Sequence, residues 1–316
     1  MNEKIARQIE EMKKQTIGVE VEMNNLTREK AARVAARFFG TGRYENTAGR
    51  NGYCTWSAWD AQGREWKFQR DVSIIGPDNE KCELVTPILK YEDIETLQEL
   101  IRQLRHAGAK SDSSRGCGVH IHIGAKGHTP QTLRNLANIM AGHERLIAEA
   151  LELNRRRIYH YCRMVNPHFL ETLNQKKPTT MAALADIWYT SHNAVQSRTN
   201  HYNDSRYHML NYHAVFTKGT IEFRLFQFDE PSIERKGGLH AGQLKSYIQL
   251  CLALSQMAKT VKTASPKRQQ NENPKYAMRT WLLRLGFIGD EFKTAREILT
   301  KRLTGDAAFR NGRDAA

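Results

Sequence analysis

Gly116-Cys117-Gly118-Val119-His120-Ile121-His122-Ile123-Gly124 is the stretch that decides how the rest of this 316-residue sequence is read. Val119, Ile121 and Ile123 alternate with His120 and His122, the period of a strand with one apolar face. Both imidazoles therefore share a face, and the bracketing glycines let backbone or ligand come close. Two histidines side by side on one sheet face want a metal, a phosphate or an acid opposite them. A pair of satisfied, half-buried histidines is the plain alternative. The decision rests on what faces them.

Three other stretches carry the same period with unusual polar positions. In Thr16-Ile17-Gly18-Val19-Glu20-Val21-Glu22-Met23, Ile17, Val19, Val21 and Met23 take one face, and Glu20 and Glu22 the other. Lys81-Cys82-Glu83-Leu84-Val85-Thr86, ended by Pro87, adds Glu83. Thr220-Ile221-Glu222-Phe223-Arg224-Leu225-Phe226 sets Ile221, Phe223 and Leu225 against Glu222, Arg224 and Phe226. Further strands are expected over Tyr53–Ala58 and Glu65–Gln69, a hairpin about Asp60-Ala61-Gln62-Gly63, and over Tyr207–Val215.

Helical spacing falls over Ile5–Lys14, Arg28–Phe39 (capped by Thr27 and stopped at Gly40) and Ile94–Ala107. It recurs from Pro130 to Leu153, opened by Thr129, over Ser232–Lys259, and near Ala277–Arg284 and Glu291–Leu303. A glycine-rich polar loop is expected up to Gly52, and residues 154–200 read as helices with long polar connections. Thr263–Pro274 reads as a polar, proline-flanked linker. The chain is thus of the α+β class, with a domain over residues 1–260 followed by a linker and C-terminal helical extension over 261–316.

Composition narrows the function. Hydrophobic content of 40% with 26% charged residues describes a soluble protein with a core. No run approaches a membrane span, and Met1–Lys14 lacks the apolar centre of a signal peptide. The five cysteines, odd in number and without a C-x-x-C pair, argue against a disulfide framework or a cysteine zinc site. A reducing, cytoplasmic setting is expected. The net charge of +14 favours acidic or phosphate-bearing partners without choosing among them.

If the four polar faces converge, Glu20, Glu22, Glu83 and Glu222 crowd together with His120 and His122. Like charges a few ångströms apart repel by several kcal/mol at intermediate dielectric. Two divalent cations would neutralise four carboxylates and leave Arg224 for a further anion. Oxygen-dominated ligation with occasional imidazole suits Mg²⁺ or Mn²⁺ better than structural zinc. Such a set is equipped for phosphoryl transfer. Taken singly, Glu-x-Glu reads as a solvated edge, Glu83 as an acid paired with a lysine, and Glu222-x-Arg224 as a weak cross-strand ion pair.

The order and wording of these motifs resemble the amidoligase family of carboxylate–amine ligases, within the glutamine synthetase / glutamate–cysteine ligase superfamily. The matching residues are Gly18-Val19-Glu20-Val21-Glu22, and Asp71-Val72-Ser73 followed by Glu83-Leu84-Val85-Thr86-Pro87. They continue with Gly116-Cys117-Gly118-Val119-His120-Ile121-His122, and end with Arg206, Asn211 and Gly219-Thr220-Ile221-Glu222-Phe223-Arg224. Gly286–Lys293 also resembles bacterial members. The resemblance implies a curved antiparallel sheet with helices on its convex face. It implies ATP and two Mg²⁺ or Mn²⁺ ions as cofactors, one ion on Glu20, His120 and Glu222 and the other on Glu22 and Glu83. His122, with Gly118 and Arg224, would lie at the nucleotide. Arg224 and Arg206 would clamp the γ-phosphate, and Asp71 and Asn211 would orient substrate. The superfamily's second metal usually has a further carboxylate, and Asp71 is the candidate.

The expected activity is formation of an amide or isopeptide bond from ATP, a carboxylate-bearing substrate and an amine donor of peptide or cell-wall type. Rival readings of the same residues are a metal-dependent hydrolase, a guanidino-type kinase and a basic nucleic-acid-binding protein. Charge alone is a weak pointer to nucleic acid, and no membrane partner is expected.

Overall fold

Strand β1 (Ile17–Met23) organises one half of the molecule, and its burial alternates as its sequence does until Glu22. This is a computed structural model, and it describes residues 3–50, 52–233, 237–268 and 272–309. The chain folds as two units: a sheet unit (Thr16–His122 and Phe226–Lys245) and a helical unit (Met1–Gln15, Ile123–Leu225 and Ser246–Ala316). No described helix is long and apolar enough to cross a membrane.

In the sheet unit, β2 (Tyr44–Asn46), β3 (Trp56–Trp59), β4 (Glu65–Gln69), β5 (Cys82–Val85), β1 and the first part of β6 (Val119–Gly124) lie side by side in the order β2-β3-β4-β5-β1-β6. The pairs β2–β3, β3–β4, β4–β5 and β5–β1 are antiparallel. One sheet face is apolar: Val19, Val21, Met23, Trp66, Phe68, Cys82, Leu84, Val119 and Ile121 are almost wholly buried. Helix α2 (Arg28–Phe38) closes over β3 and β4 with Ala31, Ala32, Ala35 and Ala36, small residues that let a helix approach closely. Thr27 caps it through the Lys30 N–H. Arg28 ties the helix start to the carbonyls of Cys54, Asp78 and Lys81. Helix α3 (Ile94–His106) packs on α2 and buries Leu97, Leu100, Ile101 and Leu104.

In the helical unit, α1 (Glu3–Lys13), α4 (Pro130–Ala150), α5 (Arg155–His160), α6 (Pro167–Lys176), α7 (Met181–Ser191), α8 (His213–Lys218), most of α9 (Ala241–Thr260), α10 (Pro274–Arg284) and α11 (Lys293–Thr300) accompany the antiparallel pair β7 (Leu210–Asn211) and β8 (Thr220–Phe226). Helix α4 packs against α6 and α11.

Five expectations change. Tyr44–Asn46 pairs with β3 although it was expected to be loop: a three-residue edge strand has no alternation to betray it. The strand expected from Tyr53 begins only at Trp56, because Cys54 takes a left-handed φ of 50°. The expected strand Tyr207–Val215 shrinks to Leu210–Asn211, since the Asn211 side chain accepts the His213 N–H at 2.8 Å and turns the chain into α8. The helix expected from Pro130 to Leu153 ends at Ala150, just before Glu152 with its left-handed φ of 46°. The helix expected from Ser232 starts at Ala241; Gly237 and Gly238 have positive φ, and residues 234–236 lie outside the described ones.

The chain entering the stretch read as a linker is bonded along α4. Gln131, Asn135 and Asn138 donate to the carbonyls of Lys262, Val261 and Ala264, each at 2.9 Å. These positions recur at helical spacing, so one face of α4 holds an extended backbone.

Candidate active site

Register builds the site. In the antiparallel pairing of β5 with its neighbours, Gln69 stands opposite Glu83, and Glu83 opposite Glu22. Their side chains therefore rise from one sheet face in a row. Gln69 Nε2 donates to Glu83 Oε2 at 2.9 Å, and the Gly118 N–H donates to Glu22 Oε2 at 2.6 Å. Ser111 Oγ holds the Glu22 carbonyl at 2.7 Å.

The second row is Glu20 with His120, whose Nδ1 lies 3.0 Å from Glu20 Oε2 and whose Nε2 lies 3.8 Å from Glu22 Oε1. His122 Nε2 lies 3.3 Å from the other Glu20 oxygen. A Cβ on Gly18 would stand 3.3 Å from His122 Cβ, so a side chain there would push on the imidazole. Glu22, Glu83, His120 and His122 are only 4%, 5%, 3% and 6% exposed, which removes the solvated-edge reading for Glu22.

Asp71 joins them from the loop after β4. Its Oδ1 accepts the Ser73 N–H at 2.6 Å, a local turn that aims the carboxylate. Gly116 supports the loop from below: its φ is +88°, and a Cβ there would meet the Ser73 carbonyl oxygen at 2.9 Å. Only glycine fits both demands.

Within the sheet unit two sets of three ligand atoms result, Glu20–Glu83–His120 and Glu22–Asp71–Glu83, each set within 4.8 Å. Burial, followed by the charges of Glu20, Asp71 and Glu22, pushes the Glu83 carboxyl well above the usual carboxylate range, against the opposing bond from Gln69. A row of acids kept out of water with one member forced to hold a proton has the chemistry of a cation site. Carboxylate oxygens with an imidazole fit hard divalent ions such as Mg²⁺ or Mn²⁺.

The remaining expected residues lie in the helical unit. Register places Asn211 opposite Glu222, and Asn211 Nδ2 donates to Glu222 Oε2 at 2.7 Å. Arg224 Nη1 donates to Glu222 Oε1 at 2.5 Å. All three are buried. The Arg224 guanidinium lies 5.7 Å from the centre of the Tyr207 ring. Arg206 is half-buried, 5.3 Å from the Tyr202 ring and 5.8 Å from the Tyr207 ring. Tyr202, Arg206, Tyr207 and Arg224 thus alternate rings with guanidinium groups.

Three residues missed in the sequence belong to these groups: Gln69, Gly18 and Tyr207. Each owes its place to pairing or packing. Gln69 could have been found only from the β4–β5 register, whereas Gly18 was visible inside a quoted motif without a stated role.

A buried row of acids and imidazoles on an antiparallel sheet gives this mixed α/β fold a group of residues that could hold a metal ion. The chain belongs to the family described as "Putative amidoligase enzyme", whose model matches residues 13–255. Among solved structures it is similar to a bifunctional glutathione synthetase from Pasteurella multocida, at a TM-score of 0.44 and 12% identity over 94% of this chain and 49% of that one. The chain spans about half the length of that protein. No curated protein matches it.

Proposed function

We propose that this enzyme is an ATP-dependent carboxylate–amine ligase acting through an acyl phosphate. The observation that carries the reading is the Gln69–Glu83–Glu22 row beside His120, where burial and neighbouring acids push the Glu83 carboxyl up. In this reading the sheet is of the glutamine synthetase / glutamate–cysteine ligase catalytic type. The catalytic part spans residues 1–260, with Glu20, Glu22, Glu83 and His120 as metal ligands in the sheet unit and Glu222 as a ligand candidate in the helical unit. Two Mg²⁺ or Mn²⁺ ions held by these residues and Asp71 would neutralise the phosphate charge and orient its oxygens.

The chain's own groups do the rest. Arg224, fixed between Glu222 and the Tyr207 ring, meets the γ-phosphate with Arg206 beside it. His122 and Gly118 flank the nucleotide. The substrate carboxylate attacks the γ-phosphorus and ADP departs. The amine then attacks the acyl carbon, and phosphate departs with formation of the amide. Positioning and charge complementarity suffice for both steps, so no protein nucleophile is needed.

The test is a screen of carboxylate and amine pairs for ADP and phosphate release with Mg²⁺-ATP, with the amide product identified by mass. Arg224→Ala and Glu22→Ala should abolish substrate-dependent ADP release while the far-ultraviolet spectrum is kept. Undiminished turnover in either variant refutes the assignment.

A further inference from the structure

The helical unit carries a second site that the ligation chemistry leaves unassigned. Arg155, Ile158, Tyr159, Arg163 and Met164 line an open cleft of about 500 Å³, a volume typical of small-ligand sites. Arg155 and Arg163 are exposed, and no carboxylate lines the cleft. Among the described residues neither arginine is ion-paired. Arg163 is aimed by its bonds to the carbonyls of Tyr207 (3.3 Å) and Asp204 (3.1 Å). The titratable rings that feel its charge, His192 and His208, are themselves kept neutral by burial, so they do not alter the cleft's sign.

The same residues tie the cleft to Arg224. Arg157, buried on α5 between Arg155 and Ile158, donates to the Arg224 carbonyl at 3.4 Å. Tyr207, whose carbonyl Arg163 grips, lays its ring against the Arg224 guanidinium. The cleft's wall is thus linked to Arg224 through Arg157 and Tyr207.

We propose that this cleft binds a carboxylate-bearing peptide segment, the acidic part of one of the two substrates. The substrate role rests on the ligase reading; the binding does not. Arginine forks match carboxylate geometry, and Ile158, Tyr159 and Met164 cover the methylene groups that an aliphatic carboxylate brings and a phosphate lacks.

The test is fluorescence anisotropy of the full chain with fluorescein-labelled triglutamate, without ATP or metal, against labelled triglutamine. Triglutamate should bind at least roughly tenfold tighter, and Arg155→Gln should remove most of that difference. Arg155 carries the test because it is exposed and makes no bond that holds the fold, whereas Arg163→Gln also frees two carbonyls. Arg7→Gln, which removes an exposed arginine on α1 away from the cleft, should bind triglutamate as the parent does. Equal binding of the two peptides, no effect of Arg155→Gln, or displacement by pyrophosphate at lower concentration than by glutarate would each overturn the proposal. Triglutamate binding without ATP turnover on any substrate pair would instead overturn the ligase reading and leave the cleft standing.

Discussion

Glu83→Gln separates what the acidic row does for stability from what it does for function. The amide keeps the shape of the side chain and an acceptor for Gln69, and removes one charge. Glu83 shares ligand sets with Glu20 and with Glu22 and Asp71, all within 4.8 Å. At an effective dielectric of about 20, one pair of charges at that distance repels by about 3.5 kcal/mol. The folded protein relieves this by keeping a proton on Glu83, whose carboxyl is raised first by burial and then by its neighbours. A carboxyl raised above its unfolded value contributes stability that is present below the unfolded pKa and lost as pH rises through the folded one. The parent should therefore lose stability with rising pH, and Glu83→Gln should lack that part of the slope. In EDTA the variant is expected to be the more stable protein, by about 3 kcal/mol once pH exceeds the folded pKa. Saturating Mg²⁺ reverses the order: at 1,000 times Kd a ligand adds about 4.1 kcal/mol to the parent and nothing to a variant that cannot bind it. Urea unfolding at several pH values, with EDTA and then with Mg²⁺, reads both effects. If Glu83→Gln were less stable than the parent in EDTA, or if both proteins responded equally to Mg²⁺, the row would not be a cation site.

Two further predictions follow from buried contacts in the helical unit. Glu144 accepts the Val165 N–H at 2.8 Å and lies 3.4 Å from Arg268, yet burial raises its carboxyl to about 7. Its contribution is present below the unfolded value of 4.5 and is lost as pH rises through about 7, a swing of roughly 3 kcal/mol. Glu144→Gln should therefore gain on the parent between pH 5 and pH 8, and a constant difference in unfolding free energy across that range would contradict this. Tyr207→Leu removes the ring that steadies Arg224 and Arg206. A cation–π contact of about 1–2 kcal/mol corresponds to a roughly 5- to 30-fold loss in kcat for ADP release, with Tyr207→Phe keeping most of the rate; parental kcat in Tyr207→Leu would show that the ring does not position them.

Period-two strands with acids or imidazoles on the inward face were legible because burial normally forbids those residues. Glu20, Glu22, Glu83, His120 and His122 do come together in the sheet unit, and Asp71 joins them. The helix starts were legible for a local reason: Thr27 and Thr129 cap through bonds confined to one turn. What escaped depends on partners distant in sequence. Tyr44-Glu45-Asn46 becomes a strand only because β3 is beside it. Gln69 becomes part of the site only because β4 pairs with β5 in the register that sets it against Glu83.

A shift of that register by one residue would keep every propensity in β4 and β5. It would turn Glu83 onto the apolar face and bring Leu84 into the acidic row. The row therefore requires the alternation of both strands together with the packing of Trp66, Phe68, Cys82 and Leu84, which fixes the register from the opposite face. Apolar burial on one side of the sheet thus selects the pairing that forces acids together on the other. The repulsion this creates is held by the core and eased by the Glu83 proton; on the proposed metal site, affinity for divalent ions and stability of the metal-free fold should therefore move in opposite directions when one of these carboxylates is removed.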